Sequence, residues 1–148
     1  MRKTILALLA LLILALSACG QKNSAAFEDI PEEITEIYET YMEALKTGTK
    51  EAVQYMHFEN DRRVAYVDST GKLVDYKIEN IEKINDNLYA FTVSVKTTIE
   101  KDYHTSYNFV GRIDGELYVM NGVRQIPESI SDNLDPNKYT YDDENIIG

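Results

Sequence analysis

Reactive side chains are scarce in this chain: one cysteine, two histidines and eleven tyrosines in 148 residues. Cys19 is the only cysteine, so no disulfide within the chain and no metal site of several thiolates can form. His57 and His104 lie far apart in sequence and outside any cluster of carboxylates, whereas a metal site needs several converging ligands. His57, at the end of a helical stretch, reads as a cap or surface residue. His104 shares one side of a strand pattern with Ser106, Asn108 and Arg112. That polar side, with Asp102 beside it, is the wrong one for an acid–base pair in an apolar pocket. Asn85-Asp86-Asn87 lacks the ligand spacing and the glycine of a calcium loop and is a turn. Neither a nucleophile elbow nor a glycine-rich phosphate loop is present. The tyrosines remain. Tyr38, Tyr41, Tyr89 and Tyr107, with Phe91 and Phe109, fall on apolar faces and are the candidate lining of a pocket. Their simplest role is core packing with the phenol oxygen at the rim.

Cys19 has a better-defined chemistry. Arg2 and Lys3 form a short positive segment, Ile5 to Leu16 is an unbroken apolar run, and Ser17-Ala18 are small. These are the three parts of a secretory signal peptide. Twelve apolar residues are too few to span a bilayer, which takes about 20. Leu16-Ser17-Ala18-Cys19 resembles the lipobox of bacterial lipoproteins. That resemblance implies cleavage before Cys19, a diacylglycerol on its thiol and palmitate labelling. Two acyl chains hold a protein firmly where one holds it only marginally. The expected location is therefore the outer face of the cell membrane, held by the lipid anchor.

Without residues 1–18 the chain keeps 13 basic and 25 acidic residues, a net charge near −12. Such a surface repels nucleic acid and anionic headgroups, so neither is an expected partner. Residues 19–26 are small and polar, a flexible tether. Its seven residues after Cys19 reach at most about 25 Å. Residues 27–130 then have the length of one domain with a core of its own.

The elements follow from periodicity. Ile30, Ile34, Ile37, Tyr38, Tyr41, Met42 and Leu45 recur at helical steps. Asp29 with Glu32 suits a capping box, Pro31 suits the first turn, and Gly48 supplies a stop. A second helix is expected over Lys50–Met56, with Ala52, Val53 and Met56 inward. Asp61–Val67 reads as a third short helix or a strand, with helix the expectation, and Asp68-Ser69-Thr70-Gly71 is a turn. From Leu73 the period becomes two. Val74, Tyr76 and Ile78 slip in phase to Ile81 and Ile84, which marks a bulge. Tyr89, Phe91, Val93 and Val95 share one face of the next strand. Tyr103, Tyr107, Phe109 and Ile113 are expected to share it on the strand after. Asp114-Gly115 is a hairpin turn leading to a last strand, Glu116 to Met120. The polar residues Ser94, Lys96, Thr98, His104, Ser106, Asn108 and Arg112 then form the solvated outer side. There Lys96, His104 and Arg112 are candidates for a homodimer or protein contact. Residues 131–148 are acidic and expected to be loosely ordered.

Helices followed by a meander with one apolar face define an α+β layout: N-terminal helices packed on a curved antiparallel β-meander, a cone or roll. The capped helix, the short helices and the bent meander resemble the nuclear transport factor 2-like, or cystatin-like, roll of small bacterial lipoproteins. The stretch from Asp75 to Val93 is its most characteristic part. Enzymes of that resemblance, such as ketosteroid isomerase and scytalone dehydratase, use Asp, His and Tyr inside the cone mouth. There an apolar site raises a carboxyl pKa and a tyrosine donates to a developing oxyanion. Because the apolar faces carry no Asp or His, the expected function is a non-catalytic binding or protein-interaction domain without a cofactor. The other reading is a small cofactor-free isomerase or dehydratase with a Tyr-lined pocket. Fold does not decide between them.

Overall fold

The computed structural model describes residues 27, 29–57 and 72–140. The leader, Cys19, the tether, the helix expected over Asp61–Val67 and residues 141–148 lie outside the described residues.

Helix α1 spans Glu32–Thr47 and buries Ile34, Tyr38, Tyr41 and Met42, one face at three- and four-residue steps. The capping box does not form. Pro31 occupies the N-cap position with an extended ψ of 135°, no side chain caps the helix, and Asp29 lies in the preceding turn. Glu32 and Glu33 instead place negative charge at the positive end of the helix dipole. Gly48 ends α1 in extended backbone, its N–H donating to the Ala44 carbonyl at 2.8 Å. Helix α2, Thr49–Val53, is shorter than expected. Ala52 and Met56 are buried and Val53 half-buried. Past α2 the chain runs beside the last strand. The Val119 N–H donates to the Tyr55 carbonyl at 2.7 Å, and the His57 N–H to the Val119 carbonyl at 3.2 Å. This pairing covers a sheet edge that would otherwise expose unpaired backbone groups.

Strands β1 (Leu73–Asn85), β2 (Leu88–Thr97), β3 (His104–Ile113) and β4 (Glu116–Met120) pair antiparallel in the order β1-β2-β3-β4. Asp114 and Gly115 both take positive φ, 52° and 88°, as their two-residue hairpin requires. The expected phase slip in β1 is a register shift between Ile78 and Asn80. Two further shifts, Leu73/Asp75 and Lys83/Asn85, bend the strand more. The first of these turns Val74 outward, where it is 50 % exposed rather than in the core.

The sheet is apolar on both faces. Tyr89, Phe91, Val93 and Val95 join α1 and α2 in one core with Ile81, Val110 and Val119. On the other side Leu88, Ala90, Phe109 and Met120 form a second core with Ile130 and Tyr139. This corrects the phase expected for β3. Asn108 sits opposite Phe91, Ser106 opposite Val93 and His104 opposite Val95, so the even-numbered residues face the helix. Tyr107 and Phe109 point the other way. Their alternation is real, but it serves the second core.

Residues 131–140 are correspondingly not a loose tail. After the short turn Val123–Gln125, the turns Glu128–Ile130 and Pro136–Tyr139 carry the chain across the second face. Ile130 and Tyr139 end 6 % and 7 % exposed. Gly111 permits this approach. A Cβ there would stand 2.6 Å from Ile130 Cδ1 and 2.7 Å from Met120 Cε.

Candidate functional site

Beneath α1 the concave face carries a polar stripe down β3, from half-buried His104 and Ser106 to buried Asn108. Two elements position its deep end. Tyr38, from the buried face of α1, donates its hydroxyl to Asn108 Oδ1 at 2.6 Å. Asn108 Nδ2 donates to the Tyr107 carbonyl at 3.2 Å and to Asn121 Oδ1 at 3.0 Å. Asn121, just past β4, donates from Nδ2 to the Tyr41 hydroxyl at 2.8 Å, and its backbone N–H to Gln125 Oε1 at 2.7 Å. Donors and acceptors alternate along this chain, so each amide has one consistent orientation. Asn108 is 6 % exposed, and these bonds satisfy groups that would otherwise be costly to bury. The Tyr38 ring stacks on Phe91, centroids 4.1 Å apart, with Tyr41 at 6.2 Å from Tyr38. Aromatic rings fill the inner end of the cone.

The outer end differs. The Thr97 hydroxyl accepts from the N–H groups of Ile99 and Glu100 at 3.3 and 3.2 Å, folding the chain after β2. That fold brings the Glu100 carboxylate against His104 Nδ1. His104 Nδ1 makes no hydrogen bond with it, so the carboxylate stands beside the imidazole without fixing its orientation. The pair is well exposed, so its Coulomb attraction adds little to stability. Tyr76, opposite Val95 on the same face, lies beneath Lys46 Nζ at 4.8 Å from its ring centroid. Burial, with the charges of Glu43 and Glu39, pushes its phenol well above the ordinary tyrosine range, so it stays protonated.

The six residues expected to line a pocket are thus divided. Tyr38, Tyr41, Tyr89 and Phe91 are together beneath α1. Tyr107 and Phe109 belong to the second face, where Tyr139 meets them edge-on at 5.8 and 5.2 Å. The expected interface is divided as well. Lys96 lies on the second face opposite Asp75, with Tyr103 at 5.8 Å from its Nζ. Tyr103 donates to Asp75 Oδ2 at 2.5 Å, which holds that carboxyl below its usual range and raises the phenol. His104 is on the helix side. Arg112 is there too, paired with Glu33 of α1 and donating to the Gly115 carbonyl at 3.1 Å. Periodicity placed Asn108 on the outer side and did not single out Asn121 or Gln125. The available signal was the run of four apolar residues, Leu88 to Phe91, which marks a strand buried on both faces.

Among the described residues no three His, Cys, Asp or Glu side chains gather as metal ligands, and no helix is long and apolar enough to cross a membrane. No protein-family model and no curated protein matches the chain. Among solved structures it is similar to an NTF-2-like protein of unknown function from Shewanella oneidensis MR-1. The identity is 16 %, over 60 % of this chain and 92 % of that one, with a TM-score of 0.42. α1, α2 and the bent meander are the α+β elements expected of such a roll.

Proposed function

We propose that the protein is an extracytoplasmic lipoprotein, anchored at Cys19 to the outer face of the cell membrane, whose domain binds a ligand or protein partner rather than turning over a substrate. One observation carries the second half. The buried polar groups beneath α1 bond one another, Tyr38 to Asn108 to Asn121 to Tyr41. The Tyr38 phenol, which an isomerase-like site would aim at a developing oxyanion, here donates to an amide instead. The anchor is supported by Arg2, Lys3, the apolar run and the lone cysteine after Leu16-Ser17-Ala18. Cys19→Ala is expected to abolish palmitate labelling and release the protein from the membrane fraction. Unchanged labelling would contradict the anchor.

The Glu100–His104 pair favours a second reading, a small cofactor-free isomerase or dehydratase, because it sits on the helix side of the sheet. Purified protein is tested against carbonyl compounds with an acidic α-hydrogen, reading absorbance of a conjugated product. The binding reading expects no turnover. Turnover that disappears in His104→Gln would replace it with the enzymatic one.

A further inference from the structure

The two covers of the sheet are attached differently. Among the described residues, every backbone hydrogen bond made by residues 123–140 closes one of their own turns, and none joins them to a strand. Polar ties beyond the segment come from Asn121, whose N–H donates to Gln125 Oε1 at 2.7 Å, and from one stretch of β1. Asn85 Nδ2 donates to the carbonyls of Ile130 and Asp132 at 3.1 and 2.7 Å. Glu82 accepts from Lys138 Nζ at 2.7 and 2.6 Å and from the Tyr139 hydroxyl at 2.9 Å. The remaining hold is apolar, Ile130 and Tyr139 with half-buried Val123, Ile126 and Leu134. Peeling this segment away breaks no ladder bond of the sheet. It uncovers Leu88, Ala90, Phe109 and Met120, none more than 2 % exposed when covered.

We infer that residues 123–140 are a strap that opens as a unit while α1 and the four strands stay folded, and that the strap governs access to the apolar second face. Sub-global opening of this kind is set by how few bonds tie a segment to the rest. Helix α1 is held differently, by the buried bond from Tyr38 to Asn108 of β3 and the bond between Tyr41 and Asn121 just past β4, whereas the Lys138–Glu82 bonds of the strap are exposed.

Native-state hydrogen exchange on the full chain tests this. The amides of Ile130, Leu134 and Lys138 should exchange faster than those of Phe91 and Val110. Lys138→Ala should speed the strap amides about five- to tenfold, the size of one or two lost hydrogen bonds, and leave the strand amides unchanged. Access is read separately in a Cys19→Ala background, where Ala90→Cys should react with a thiol reagent faster than Val93→Cys beneath the helix. Strap and strand amides exchanging at one common rate, or equal reactivity of the two thiols, would overturn the inference.

Discussion

Both faces of this sheet are buried, but they are covered by different means and packed with different chemistry. The concave face lies under a sixteen-residue helix whose backbone bonds are its own, and it encloses a hydrogen-bonded polar stripe. The second face lies under a strap of short turns and is dry, with Leu88, Ala90, Phe109 and Met120 against Ile130 and Tyr139. A rigid helix can hold buried amides at fixed distances, which a polar network needs to be satisfied. A strap need only exclude water. The contrast is one of packing, with fixed polar groups on the concave side and adaptable apolar burial on the other.

The comparison sharpens most in the large aromatics. Phe91→Ala is expected to cost about 3–5 kcal/mol, since Tyr38 is stacked on that ring and the helix cannot settle into the hole. Phe109→Ala removes an equally buried ring, but the strap can follow it inward, so the loss should be smaller. Chemical denaturation of both variants compares them directly. Equal losses would mean the two covers are equally rigid.

Gly111→Ala probes the strap's approach and comes next, at about 1–3 kcal/mol. The new methyl group meets Ile130 Cδ1 and Met120 Cε. Shifting the flexible ends of these side chains, rather than backbone, keeps the effect at the low end of overpacking. The same variant should increase exchange in the strap more than in β2.

The smallest effect is electrostatic. Hydrogen bonds from Lys138 and then Tyr139 hold the Glu82 carboxyl below its usual range, against the opposing effect of burial. A lowered folded value means Glu82 stabilises the fold above the ordinary carboxylate range and ceases to as pH falls through that lowered value. The thermal midpoint of Glu82→Gln should therefore lie below that of the parent at neutral pH and converge with it in acid. A constant difference from pH 7 to pH 3 would show that Glu82 is not the latch.

Much of this arrangement was legible in the residues. The buried face of α1, the hairpin at Asp114-Gly115, the bulge before Ile81 and the four-strand meander all follow from local periodicity or turn chemistry. What was not legible depends on the far end of the chain. Ile126, Ile130, Leu134 and Tyr139 stand four or five residues apart, but Pro127 and Pro136 interrupt any regular element, so the acidic segment around them reads as solvated. Without that cover, a sheet should have one apolar face, and Tyr107 and Phe109 are then assigned to it with Phe91. That assignment puts His104, Ser106 and Asn108 outside, hiding the candidate site. Adjacent apolar residues, Tyr89 beside Ala90 in β2 and Phe109 beside Val110 in β3, were the local sign that both faces were buried.

The phase of β3 underlies every statement about the concave site, and a double-mutant cycle on Tyr38→Phe and Asn108→Ala reads it directly. With the two side chains bonded at 2.6 Å beneath the helix, the stability losses should be non-additive by about 0.5–3 kcal/mol, the range for residues sharing one network. Losses that add to within about 0.3 kcal/mol, as for side chains on opposite faces of the sheet, would contradict it.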